Sequence, residues 1–73
     1  MTKHFTKNYK TLGSNIAVHR KQKGLTQEQA AEKLGISRVH LAGIERGIRK
    51  PSMDLTFKIC ELLDISLKDI DYK

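Results

Sequence analysis

Between Gly24 and Ser52 the sequence alternates helix-stopping and helix-starting residues at short intervals, and this punctuation restricts the fold more than any other feature. Gly24 accepts the left-handed conformation of a helix end. Thr26 and Gln29 then have capping-box spacing, in which each side chain satisfies the other's orphan backbone donor. Gly35 stops the chain again, Ser37 restarts it, Gly47 closes the next segment, and Pro51 with Ser52 opens another. The two enclosed segments, of about eight and about ten residues, are too short to hold helices alone, so they must form against neighbours.

The apolar residues supply those neighbours. Phe5, Tyr9, Leu12 and Ile16, spaced by four, three and four, predict a first helix from about residue 6 to Lys23, with Lys21 and Lys23 favourably placed in its last turn. Ala30, Ala31 and Leu34 face inward from the second helix, and Leu41 and Ile44 from the third. Met53, Thr56, Ile59, Cys60 and Leu63 take core spacing in the fourth. Ser66 with Asp69 repeats the cap pattern ahead of a last short turn, Leu67 to Ile70. Nothing alternates with period two over strand lengths. The expected fold is all-α, a compact five-helix unit filling residues 1–73 as a single domain.

The net charge of +6 is uneven. Residues 1–50 hold eleven Lys/Arg against three Asp/Glu, and residues 51–73 hold three against five, so the first two-thirds of the chain would face a polyanion. No apolar run approaches membrane-spanning length and residues 1–10 lack the apolar stretch of a secretory signal, so a cytoplasmic protein without a membrane partner is expected. Cys60 is the single cysteine. His4, His19, His40 and Cys60 share no metal-ligand spacing, and no metal, cofactor or small-molecule ligand is expected. Asp64, Asp69 and Asp71 cluster without a nucleophile or base partner, so nothing supports an enzyme.

Thr26 to Gly47, TQEQAAEKLGISRVHLAGIERG, is where function concentrates. Ala31 permits close approach of the second and third helices, Gly35 permits a sharp corner, and Ile36, Leu41 and Ile44 lock the angle. The third helix is then projected outward, with Arg38, Val39, His40, Ala42 and Gly43 as exposed residues facing a DNA major groove. The planar fork of Arg38 matches the O6 and N7 acceptors of guanine, the alternative being a phosphate contact only; Val39 suits a thymine methyl, and His40 either donates to a base or a phosphate or is a solvated polar residue.

From LGSNIAVHRKQKGLTQ through IERG and KPS to LLDIS, roughly Leu12 to Ile70, the chain resembles the lambda-repressor-like helix-turn-helix family, also called the Cro/cI or XRE family. The resemblance implies phosphate contacts at Gln27, where the helix dipole helps, at Ser37, and at Arg46, Arg49 and Lys50 of the loop RGIRK. It also implies a partly buried ion pair between Arg20 and Glu45. Gly43 departs from members that place a long polar side chain there: either DNA comes very close at that point or the position reads nothing. Ala30 and Thr56 stand where the family favours leucine, which suggests a slightly underfilled core.

The function implied is a sequence-specific transcriptional regulator, repressor or activator, binding double-stranded DNA with dyad symmetry as a homodimer. Ile65, Leu67, Ile70 and Tyr72 are the expected dimer contact, because a monomer would leave this apolar cluster poorly covered. The rival is an antitoxin-like protein-binding module with secondary DNA binding, although no separate tail for a toxin is evident. A non-specific RNA or DNA binder is disfavoured by the scarcity of stacking aromatics on the presumed face.

Overall fold

The structure, a computed structural model, describes residues 3–66, with side chains from Tyr9 onward. Four helices follow in order: α1 (Lys3–Gln22), α2 (Gln27–Leu34), α3 (Arg38–Glu45) and α4 (Met53–Leu63). The expected fifth, Leu67 to Ile70, lies outside the described residues.

Each boundary has a local cause. Gly24 adopts φ 76° and the Leu25 amide reaches back to the Arg20 carbonyl, closing α1. The Thr26 hydroxyl accepts from the Gln29 amide at 3.0 Å while the Gln29 side chain accepts from the Thr26 amide at 2.9 Å, so the capping box is complete at the start of α2. Gly35, at φ 75°, turns the chain into Ser37, whose hydroxyl caps α3 through the His40 amide. Ser52 caps α4 in the same way through Leu55. The third helix is shorter than its sequence interval, because Arg46 serves as its C-cap and the chain turns back at Gly47, whose φ is 77°.

The core gathers Leu12 and Ile16 from α1, Ala30, Ala31 and Leu34 from α2, Leu41 and Ile44 from α3, and Leu55, Ile59 and Leu63 from α4. α3 packs on both α1 and α2, and α4 closes the far side of both. Met53, expected in the core, is 61% exposed. It occupies the first position of α4, before the helix has turned toward the core, and Leu55 takes the inward place instead. Cys60 is half-buried against the core. Thr56, where a leucine was the family expectation, is buried with its hydroxyl donating to the Ser52 carbonyl at 2.8 Å, so its polar group is matched.

α1 approaches the end of α3 closely, and glycine makes the approach possible. A Cβ on Gly13 would lie 2.6 Å from the Glu45 carbonyl oxygen and closer still to that of Ile44. Gly47, at φ 77°, sets its Cα against α1 so closely that a Cβ would meet the Lys10 Cα at 2.7 Å. Because the obstacles at Gly13 are backbone atoms, only separation of α1 from α3 could admit a side chain there. Gly13→Ala should therefore destabilise the domain by about 1–3 kcal/mol or prevent its folding. Urea unfolding followed by circular dichroism checks this, and an unchanged midpoint would refute the close approach.

Candidate nucleic-acid interface

One buried carboxylate sets the positions of α2 and α3. Glu45, the last residue of α3, is 8% exposed and accepts from Arg20 Nε at 2.7 Å, from Arg20 Nη2 at 3.1 Å and from Gln27 Nε2 at 2.9 Å. Arg20, 7% exposed, also donates through Nη1 to the Leu25 carbonyl at 2.8 Å. The end of α1, the start of α2 and the end of α3 are thus tied to a single charge pair. Among the described residues no buried side-chain nitrogen or oxygen lacks a partner. The Gln27 side chain, expected to face a phosphate, has its amide nitrogen turned to Glu45, with one N–H left to donate elsewhere.

With Glu45 neutralised, the outer side of α3 is cationic. Arg38 and Val39 stand exposed at its start, Ala42 and His40 are half-buried, and Arg46 is exposed just past its end. Arg38, Val39, Ala42 and Arg46 share a groove with Ile48 and Arg49 of the following loop. The loop belongs to the surface as firmly as the helix does, since the Gly43 carbonyl accepts from both the Ile48 and Arg49 amides, at 2.9 and 3.1 Å. Ser37 spends its hydroxyl oxygen on the α3 cap but keeps its own proton to donate. The ammonium of Lys50 lies 5.8 Å from the centre of the Tyr9 ring, a cation–π contact directed toward α1.

Gly43 requires correction. It was expected among the exposed residues, yet it is buried, because the aliphatic stem of Arg49 lies across it: a Cβ there would meet Arg49 Cγ at 3.0 Å. The sequence alone did not show this cover, and the missing side chain makes room for the arginine. Ile48 is the surface residue that the sequence reading missed. Its signal was present, an isoleucine in a loop where it continues no helical stripe. Of the expected dimer contact only Ile65 is described, partly buried against the core, and Leu67, Ile70 and Tyr72 lie outside the described residues. Among the described residues no three His, Cys, Asp or Glu side chains could jointly hold a metal ion, and no helix is long and apolar enough to cross a membrane.

The profile of a helix-turn-helix family matches residues 16–70. The chain is 39% identical over 57 residues to the HTH-type transcriptional regulator y4dJ of Sinorhizobium fredii, a match covering 78% of this chain and 74% of that protein. Among solved structures it resembles the clp gene regulator ClgR of Corynebacterium glutamicum, with TM-score 0.82 and 30% identity over 86% of this chain and 81% of that one. It also resembles the restriction-modification controller protein C.AhdI of Aeromonas hydrophila, with TM-score 0.79 and 32% identity over 85% of this chain and 94% of that one.

Removing one member of the buried pair strands the other. Glu45→Ala should cost about 3–5 kcal/mol, since the Arg20 guanidinium keeps a single carbonyl partner. Replacing both charges, as in Arg20→Met with Glu45→Leu, should cost clearly less than the two single losses added. Chemical denaturation of the four proteins in the cycle gives the coupling, and additive losses would mean that the pair does not act as a unit.

Proposed function

The chain belongs to the XRE-type helix-turn-helix family of DNA-binding transcriptional regulators, and from that premise we propose that it reads a dyad-symmetric operator as a homodimer, with α3 in the major groove. The observation that carries this reading is the outer side of α3, where exposed Arg38 and Val39 lie in one groove with Arg46 and Arg49 and, among the described residues, no carboxylate lines it. A helix of this diameter fits the major groove, and its first residues meet base edges before the flanking backbone stops further approach.

Arg38, at the first position of α3, is the base-reading residue in this proposal, pairing its guanidinium with O6 and N7 of a guanine. Val39 approaches a neighbouring pyrimidine, and His40 and Ala42 lie beside the same groove floor. Gly43, covered by Arg49, contributes no side chain and acts by letting that arginine lie down. Arg46, Arg49 and Lys50 grip phosphates, and Gln27 and Ser37 add their remaining protons to phosphates beside the two helix N-termini. A second copy, joined through Ile65 with Leu67, Ile70 and Tyr72, places two such units on half-sites about one helical turn or a small multiple apart. The repressor or activator role then depends on where the operator lies relative to a promoter.

Two measurements test this. Duplexes are first enriched by the protein from a random pool, and dissociation constants are then taken on the enriched duplex and a scrambled one at several salt concentrations. Arg38→Ala should lose about 1–3 kcal/mol on the enriched duplex and much less on the scrambled one. Arg49→Ala should weaken both by similar factors and flatten the salt dependence by about one unit. Equal losses on both duplexes for Arg38→Ala would reassign it to the backbone. Sedimentation at micromolar concentration should find a dimer, and a strict monomer both free and on DNA would remove the two-fold part of the proposal.

A further inference from the structure

Val39 and Ile48 are 68% and 67% exposed, and they line one groove together with Ala42 and with Arg38, Arg46 and Arg49. Two branched aliphatic side chains set in water among three cations add little to the core. Ile48 is also held where it stands, since its amide is bonded to the Gly43 carbonyl and the next residue lies across Gly43. A surface of this make-up suits a ligand that carries negative charge and a small apolar group close together. The major groove has both, phosphates along its rims and the C5 methyl of thymine on its floor.

Resting on the DNA-reading proposal above, we infer that Val39 and Ile48 form an apolar cleft that selects a pyrimidine 5-methyl group, with Ile48 the specificity-determining residue that the loop adds to the recognition helix. Both side chains are β-branched and stiff at χ1, so the walls of the cleft keep their place without a ligand. Each is short, so only a group projecting from the groove floor reaches them, and a methyl does so where a bare C5–H does not. The surrounding arginines hold the rims and bring the floor within reach.

The test uses the full chain and the duplex it enriches from a random pool. Each thymine of the enriched half-site is replaced singly by deoxyuridine, which keeps every hydrogen-bonding group of the base and removes only the methyl. Wild type should lose about four-fold at one thymine, the ~0.8 kcal/mol of one buried methyl at 1.4 kcal/mol per ten-fold. Ile48→Ala should bind the thymine and uracil duplexes with a ratio close to one at that same position. Because the ratio is taken within each variant, a general weakening of binding cancels from it. Val39→Ala should shrink the ratio at the same or the adjacent thymine. The inference is overturned if wild type is indifferent to uracil at every position, if the enriched half-site holds no thymine, or if the four-fold ratio survives in Ile48→Ala. Failure to enrich any sequence would instead overturn the DNA-reading proposal itself, whereas enrichment with indifference to uracil removes only the cleft.

Discussion

The Arg20–Glu45 pair is the interaction on which the remaining geometry rests. Two charges withdrawn from water lose most of their mutual attraction to desolvation, so the pair is better weighed by what it fixes than by net stability. The guanidinium suits this task because it is planar and has separate donors. Two grip one carboxylate, and a third reaches the Leu25 carbonyl in the turn that joins α1 to α2. A lysine ammonium has neither the fork nor the span. Gln27 completes the set from the first position of α2, so a rotation of α2 or α3 against the other breaks a bond to a buried charge. The angle between these helices decides where Arg38 and Val39 point, and a polar network fixes it more tightly than apolar side chains able to slide.

The pair also needs α1 and α3 close enough that a Cβ at position 13 would strike the α3 backbone. Gly13, Ile16 and Arg20 follow one another at spacings of three and four, which places them on one stripe of α1, and all three are buried. The stripe is graded. Glycine lies under the terminal carbonyls of α3, isoleucine fills the core, and arginine receives the Glu45 side chain. A methyl group at position 13 would push away the same helix end whose carboxylate Arg20 holds. Packing and electrostatics at this contact are therefore one constraint, and Gly47 extends it by letting the loop after α3 rest on Lys10.

What the sequence made legible was local. The capping box at Thr26 and Gln29, the Ser37 and Ser52 caps and the glycine at each corner concern atoms within four residues of one another, and local chemistry decides them whatever the remainder of the chain does. The apolar stripes were legible for a related reason, since a buried face repeats with the helix period. Met53 was misread because periodicity counted from a helix start is sensitive to one position of phase, and Leu55 holds the place assigned to it. The burial of Gly43 and the exposure of Ile48 depend on a loop folding back over a helix, a contact that no periodicity encodes. For Gln27 the resemblance implied a phosphate contact, and the structure adds a partner that no local pattern encodes, a carboxylate eighteen residues away.

That loop alters how the binding face should be understood. A helix end followed by a glycine and three exposed residues reads as flexible chain, and flexible side chains must be ordered when a ligand binds, which costs about 0.5–1.5 kcal/mol for each long side chain immobilised. Here the Gly43 carbonyl takes two loop amides, and the Arg49 stem fills the space left by the absent side chain, so part of that ordering is complete in the free protein. Glycine inside α3 weakens the helix by about 1 kcal/mol relative to alanine. In return the loop becomes a continuation of the helix surface, its backbone tied at Ile48 and Arg49 to the Gly43 carbonyl. A face built in this way sets arginines and the apolar side chains of Val39 and Ile48 in one groove, and discrimination among base sequences requires such placed groups, which charge alone cannot supply.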